Sequence, residues 1–192
     1  MSTPTQPSGT LPIFRAAWIV TAVFILSNAA TPLYTHWQQS LGFTSGTLTL
    51  IFGWYILGLL LTLAAAGQLA DHYGRKALLV PGIGIAIFAA LLFEHADSVG
   101  LLMIARLLSG ISVGIVVSAG MANVVEHASE QRKPFASLIA SVSMVLGAGT
   151  GPLLAGVIAQ FMPDPIATVF NVEIGLLVLA LLVVLRQPNR KL

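Results

Sequence analysis

Long apolar segments separated by short polar ones dominate the pattern of this chain. Six segments carry almost no charge, and each is near or above the roughly 20 residues that an α-helix needs to cross about 30 Å of hydrocarbon. Backbone amides in lipid have no water to bond, so segments of this kind fold as helices. The pattern predicts six membrane-spanning helices at residues 14–34, 46–70, 77–93, 99–125, 135–162 and 166–185.

The composition supports this interpretation. Hydrophobic residues make up 56% of the chain and charged residues 8%, with a mean hydropathy of +0.90, whereas soluble domains are roughly 25% charged. We therefore predict an all-α integral membrane protein whose solvent is the lipid bilayer. The net charge is +2, but the basic residues are scattered over short loops, so we predict no nucleic-acid partner. The chain has no cysteine and its four histidines are separated, so we predict neither a metal site nor a cofactor.

The basic residues indicate the orientation. If the chain crosses six times, eight of the nine fall on one side, while the opposite loops 35–45, 94–98 and 163–165 contain none. The positive-inside rule then places both termini in the cytoplasm, and we expect the plasma (inner) membrane. A signal peptide is the alternative for the first segment, but its apolar run is longer than a usual signal core. We expect a disordered cytoplasmic tail at residues 1–13 and a cytoplasmic tail at residues 187–192, flanking a bundle at residues 14–186.

A short polar loop joins the second and third spans and contains Gly67, Asp71, Gly74, Arg75 and Lys76. Glycine adopts positive φ without steric cost, so Gly74 can reverse the chain sharply after the second helix. We expect the two adjacent basic residues to anchor the loop at lipid headgroups. The carboxylate of Asp71 can cap a helix amino terminus or pair with a nearby Arg.

Small residues line one face of the fifth span, because Ser143, Gly147, Gly151 and Ala155 recur at four-residue spacing. Such a face lets helix backbones approach closely in lipid. Pro152 removes one helical hydrogen bond, so we expect a kink near the middle of the membrane. The face suits either a mobile seam between two halves of a protein or tight packing within one static bundle.

Two charges lie inside predicted spans, Arg106 in the fourth and Glu173 in the sixth. An unpaired charge there costs about 2.5–3.5 kcal/mol on the insertion scale, so we expect a functional role for Arg106. Glu173 is either functional as well or an outer-boundary carboxylate without a role. Arg106 shares a helix face with Gly110 and Gly114, which directs it inward. We hypothesise that Arg106 and Glu173 couple electrostatically, either directly or through substrate and water. Asn28 and the aromatic residues Tyr34, Trp54 and Tyr55 are candidate ligand contacts, although interfacial anchoring explains the aromatic residues equally well.

Three of these patterns resemble motifs of the major facilitator superfamily. The loop from Gly67 to Lys76 resembles the G-x-x-x-D-x-x-G-R-K motif after the second helix of these transporters. The segment 147–156, with Gly147, Gly151, Pro152 and Gly156, is similar to the Gly-Pro motif of the superfamily's drug:proton antiporters. Arg106 followed by Gly110 resembles a third motif. The resemblance covers the whole chain but only half of the family's usual twelve helices.

The resemblance implies a fold and a function. The expected fold is a bundle of 3+3 helices that forms the amino-terminal half of a transporter, and the expected function is alternating-access transport of a small organic solute by proton-coupled efflux. It also implies that Asp71 holds one conformation by contacting the other half. Many proton-coupled exchangers of the family carry an acid in the first helix, where this chain has Ser27 and Asn28. Glu173 is therefore the main candidate for proton exchange.

The predicted partners are lipid, a solute, protons and a second six-helix half. That half is a missing carboxy-terminal part of the same protein, a separate chain or a second copy in a homodimer. Two other functions stay open, namely an uptake symporter for sugars or organic acids and a non-transporting accessory subunit. The segment Gly110-Ile111-Ser112-Val113-Gly114 matches a serine-hydrolase pattern, but it lies inside a span with no base available. We therefore predict no enzymatic activity.

Overall fold

The computed structural model describes residues 10–187, and every predicted span is helical in it. The helices long and apolar enough to cross a membrane are Leu11–Leu41, Ser45–Tyr73, Arg75–Glu94, Val99–Glu126, Glu130–Phe161 and Pro165–Leu185. Residues 10–187 contain no β-strand. The predicted class, an all-α membrane bundle with six spanning helices, is confirmed.

Three of the six spans are built from more than one helical element. In chain order the elements are α1 (Leu11–Ala29), α2 (Tyr34–Leu41), α3 (Ser45–Tyr73), α4 (Arg75–Glu94), α5 (Val99–Ile115), the π-helical turn Val116–Gly120, α6 (Met121–Glu126), the 3-10 turn Glu130–Arg132, α7 (Lys133–Phe161) and α8 (Pro165–Leu185). Residues 11–13, which we had assigned to a disordered tail, are therefore helical. The remaining predicted tail positions 1–9 and 188–192 lie outside the described residues.

The first span breaks between α1 and α2 at Pro32. Proline has no N–H, and it disfavours the helical conformation in the residue before it. The N–H of Thr31 donates to the carbonyl of Asn28 at 3.1 Å. In a continuous helix this N–H would donate to the carbonyl of Ser27. The break therefore frees the Ser27 carbonyl for another donor.

The helix α1 forms the centre of the bundle. In the first span 72% of the most apolar window is buried, against 11% in the second span. α1 packs on α7 and α8, α3 packs on α5, and α4 packs on α5 and α8. Most of the apolar surface of α3 is therefore left for lipid or for a partner outside residues 10–187.

The two most extensive helix contacts occupy equivalent positions when the first three spans are compared with the last three. They join α3 with α5 and α1 with α7. If the first three spans exchange places with the last three, span by span, the first contact becomes the second. Inverted repeats of three spans nested in each half give this relationship in transporters built from six-helix halves. The contacts therefore agree with the predicted 3+3 grouping.

Glycines make both contacts possible. On the α3–α5 side, a Cβ added to Gly110 would collide with the backbone carbonyl of Tyr55, and one added to Gly58 would collide with that of Leu107. On the α1–α7 side, a Cβ at Gly151 would lie 2.5 Å from the carbonyl oxygen of Ile25. Each helix pair therefore approaches through its backbone, as small-residue interfaces in lipid do.

Replacing Gly151 by Ala is expected to destabilise the bundle by about 1–3 kcal/mol, because the added methyl overpacks the α1–α7 contact. Gly149→Ala is the matched control on the same helix, since a Cβ at Gly149 meets nothing within 4 Å. It should not destabilise the bundle, because a helical Gly→Ala change without a clash is neutral or stabilising by up to about 1 kcal/mol. Unfolding of both variants in detergent micelles provides the measurement. Equal effects of the two changes would contradict the close α1–α7 approach.

Candidate functional site

Arg106 is buried in α5 and bonded to the broken first span. Its side chain is 2% exposed. One terminal nitrogen, Nη1, donates to the carbonyl of Ser27 at 2.7 Å, and Nε donates to the hydroxyl of Tyr34. The Ser27 carbonyl is the one that the break at Pro32 frees. Arg106 therefore provides the missing donor at the carboxyl end of α1, where a positive charge is also favoured by the helix dipole.

Aromatic rings enclose the same guanidinium. Its Cζ atom lies between 5.0 and 5.7 Å from four ring centroids, those of Tyr34, Phe52, Tyr55 and Phe93. A cation within about 6 Å of a ring face is attracted by the ring quadrupole, and more strongly so when water is excluded. The second terminal nitrogen, Nη2, is buried without a hydrogen-bond partner. Ring faces thus provide much of the stabilisation that water would provide outside the membrane.

Glu173 is the second buried charge-bearing group, and its surroundings differ from those of Arg106. It lies on α8 with 0% exposure, and neither carboxyl oxygen has a hydrogen-bond partner. One turn away, Phe170 stacks on Phe93 with ring centroids 5.1 Å apart. Phe93 in turn faces Arg106. An aromatic layer thus extends from the Arg106 site to the turn of α8 that precedes Glu173.

Arg106 and Glu173 do not form an ion pair in this structure. Within residues 10–187, Arg75 pairs with Glu126 and Lys133 pairs with Glu130, while the Glu173 carboxyl oxygens have no hydrogen-bond partner. The direct form of the hypothesised coupling is therefore absent here. Both groups lie at similar depth, about 10 Å and 12 Å along their helices from the same side of the bundle. Coupling through water or substrate stays a prediction.

The other ligand candidates are only partly brought together. Tyr34 and Tyr55 contact Arg106, whereas Trp54 is exposed. Asn28 is half-buried, and its side-chain amide donates to the carbonyl of Phe24 on its own helix at 2.8 Å. No motif or spacing in the sequence connects Phe52 or Phe93 with Arg106. The signal that could have connected them is that Phe52, Phe93 and Arg106 lie at similar depth near one end of their spans.

The polar loop forms a tight connection between α3 and α4. Gly74 has φ of 88°, a conformation that L side chains rarely adopt, so the predicted reversal at this residue is present. The side chain of Arg75 pairs with Glu126 at 2.5 Å. Lys76 donates to the carbonyls of Leu185 and Gln187 at 2.8 and 2.7 Å. Both basic side chains thus bind protein groups, and their anchoring at lipid headgroups stays a prediction.

Gly67 and Asp71 lie on the last turns of α3, before the loop itself. Both are exposed, and a Cβ at Gly67 would meet nothing within 4 Å. Gly74 is the N-cap residue of α4, and no side chain caps this helix, so Asp71 does not act as its cap. Asp71 also forms no ion pair with another residue in the described part of the chain. Its carboxylate is accessible from outside the bundle.

The small-residue face of α7 is used within the bundle. Gly147 and Gly151 pack on α1, and Thr21 of α1 donates to the carbonyl of Ser143 at 3.3 Å. These residues therefore do not face outward as a seam for a second half. Gly156 takes no part, since a Cβ there would meet nothing within 4 Å. α7 continues as one helix through Pro152.

Two further sequence patterns have structural explanations. Ser112, the centre of the hydrolase-like pattern, lies within α5 and donates its hydroxyl to the carbonyl of Gly82 at 2.9 Å. In residues 10–187 no group of three His, Cys, Asp or Glu side chains is arranged to hold a metal ion.

A cavity of about 590 Å³ opens between α3, α4 and α5, but its lining is almost wholly apolar and excludes Arg106 and Glu173.

Comparison with known proteins identifies the family. The sequence profile of the Major Facilitator Superfamily matches residues 16–192. The chain belongs to this superfamily of membrane transporters. Like other members, it is a multi-pass membrane protein, and the resemblance seen in its motifs is confirmed.

Individual relatives are also named as transporters. An uncharacterised transporter of Rickettsia felis is 31% identical over 86% of this chain and 42% of its own length. An uncharacterised MFS-type transporter of Methanocaldococcus jannaschii is 27% identical over 74% of this chain and 37% of its own length. The putative multidrug resistance protein MdtD of Yersinia pestis is 24% identical over 91% and 38%. The chain thus spans about two fifths of the length of these curated relatives.

Replacing Tyr34 by Phe is expected to destabilise the bundle by about 1.5–3 kcal/mol, because the Arg106 guanidinium loses one of its two buried hydrogen bonds. Tyr55→Phe is the matched control, since it keeps a ring against the same guanidinium and removes a hydroxyl that makes no hydrogen bond within residues 10–187. It should cost less than about 0.5 kcal/mol. Unfolding in mixed micelles distinguishes the two variants. A larger loss in Tyr55→Phe would contradict the assigned role of Tyr34.

Proposed function

We propose that this chain is the amino-terminal half of a secondary transporter that moves a small organic solute by alternating access. The proposal rests on two groups buried in a six-helix bundle of this superfamily. They are the Arg106 guanidinium, which aromatic rings enclose, and the Glu173 carboxyl, which has no hydrogen-bond partner. Ionisable groups inside a membrane are costly, and they mark substrate, ion or proton pathways by default. No catalytic role is proposed for any residue.

We propose proton-coupled efflux as the mode of transport. The Gly-Pro segment of α7 resembles that of drug:proton antiporters, and one group of relatives is named as multidrug resistance proteins. Glu173 is the residue that we propose to carry the proton, because it is wholly buried and no side chain neutralises it. Arg106 and Asn28 are proposed to act on the solute side, with the Arg106 charge influencing Glu173 through water or substrate.

A second six-helix half is part of the proposal, because solute sites in such carriers lie between two bundles. The relatives are more than twice as long as the segment they share with this chain, which favours further helices in the same protein over a separate chain or a homodimer. The exposed Asp71 is the residue that we propose to contact that half. Both termini of the bundle are proposed to face the cytoplasm of an inner membrane, as the basic residues indicate.

Glu173→Gln is expected to abolish proton movement driven by solute in proteoliposomes, because an amide cannot release a proton at working pH. The variant should also lose the pH dependence of solute transport. Glu94→Gln is the matched control, since Glu94 lies at the end of α4 and accepts a hydrogen bond from Asn171 at 2.7 Å. It should leave coupling intact.

Three outcomes would contradict parts of this proposal. Normal coupling in Glu173→Gln would exclude Glu173 as the proton carrier. Energised vesicles that accumulate solute instead of expelling it would favour an uptake symporter for sugars or organic acids. Absence of flux from this chain, together with faster flux when it is added to a full-length transporter, would favour an accessory subunit.

The proposed orientation is testable because the chain contains no cysteine. A single cysteine at Asp97, in the turn between α4 and α5, should react with an impermeant maleimide in intact cells. One at Gln131, in the turn before α7, should react only after permeabilisation. Both positions are exposed, so the difference reports sidedness. The reverse pattern would contradict the orientation and, with it, the proposed direction of efflux.

A further inference from the structure

The carboxyl end of α8 is bonded to residues from two other elements. The ammonium of Lys76, at the start of α4, donates to the carbonyls of Leu185 and Gln187 at 2.8 and 2.7 Å. The side-chain amide of Asn123, in α6, donates to Oε1 of Gln187 at 3.2 Å. We refer to Lys76, Asn123, Leu185 and Gln187 together as the α8 clasp.

The clasp provides hydrogen-bond donors for carbonyls at the carboxyl end of α8. The last four carbonyls of a helix have no intrahelical donor, and the helix dipole makes this end favourable for a cation. Arg186 and Gln187 donate their N–H groups back to Leu182 and Val184. Lys76 satisfies carbonyls at the very end, because three ammonium protons can reach two acceptors at once. The position where the chain leaves the bundle is thus fixed by side chains distant in sequence.

The two basic residues of the loop hold different elements. Arg75 pairs with Glu126 at the end of α6, while Lys76 caps α8. Asn123, which bonds Gln187, is less than one turn from Glu126 on α6. The amino end of α4, the end of α6 and the end of α8 therefore form one connected polar layer. A displacement of any one of these ends stretches a charged hydrogen bond to another.

We propose that Lys76 is a positioning residue that holds the segment after α8 against the α3–α4 loop. In this role it fixes where the chain leaves the bundle, and it transmits movement between that segment and the loop. The second statement rests on the proposed function, since it requires an alternating-access cycle in which the two halves of a transporter move. The first statement concerns the bundle alone. The experiment below tests them separately.

Hydrogen exchange of the peptide covering residues 182–187 tests the clasp without any transport assay. Lys76→Met keeps most of the side-chain length but removes every donor, so exchange in this peptide should rise about tenfold, allowing for the partial exposure of the contact. Lys76→Arg retains donors and should stay close to the parent. Lys133→Met removes one positive charge from the exposed first residue of α7, which pairs with Glu130, and it should leave this peptide unchanged.

Transport tests the second statement. Lys76→Met should lower the maximal rate of solute transport while the concentration for half-maximal rate stays unchanged, and Lys76→Arg should restore the rate. Unchanged exchange at residues 182–187 in Lys76→Met would overturn the clasp. Faster exchange combined with a normal rate would overturn transmission to the loop. If a transporter that combines this chain with its second six-helix half moves no solute, the proposed function fails, whereas the exchange comparison still decides whether Lys76 holds α8.

Discussion

Close approach of helix backbones is the constraint on which the bundle depends. Lipid tails are as apolar as leucine, so helices in a membrane gain little by burying apolar side chains, and packing contacts must hold them together. In this chain Gly58 and Gly110 bring α3 onto α5, while Gly147 and Gly151 bring α7 onto α1. Exchanging the first three spans with the last three relates these two contacts. Both groups of three spans therefore use glycines in the same way. The central position of α1 follows, and with it the depth at which Arg106 meets the first span.

The two buried ionisable side chains have opposite environments, although they lie at similar depth. Arg106 is bound by a carbonyl, a phenol hydroxyl and four ring faces, all from this chain. Glu173 has no polar partner. A direct pair would satisfy both groups and leave neither free to exchange protons or contact solute. Their environments therefore differ in what they leave available: the Arg106 guanidinium is bonded to the broken first span, while the Glu173 carboxyl has no hydrogen-bond partner.

The sequence predicted the elements of this fold much better than their contacts. Charge interruptions located all six spans, and the requirement for positive φ located the reversal at Gly74. Neither the break at Pro32 nor the π-helical turn Val116–Gly120 alters the hydropathy pattern, so neither was predicted. Outside the small-residue faces of α5 and α7, the side of each helix that packs inward was also inaccessible. Helices in lipid are apolar on all sides, so the sequence carries no amphipathic signal. The small-residue face of α7 was found, but whether it met α1 or another half depended on the fold.

The polar loop illustrates why residue type matters as much as charge. The positive-inside rule treats Arg75 and Lys76 as equivalent, because each contributes one positive charge near the membrane surface. Their partners separate them. A planar guanidinium suits the carboxylate of Glu126, whereas a compact ammonium with three protons suits two carbonyls that lie in different directions from it. Those partners are 51 and more than 100 residues away along the chain. Arg75→Lys would therefore preserve the topological signal and lose the planar match to the Glu126 carboxylate.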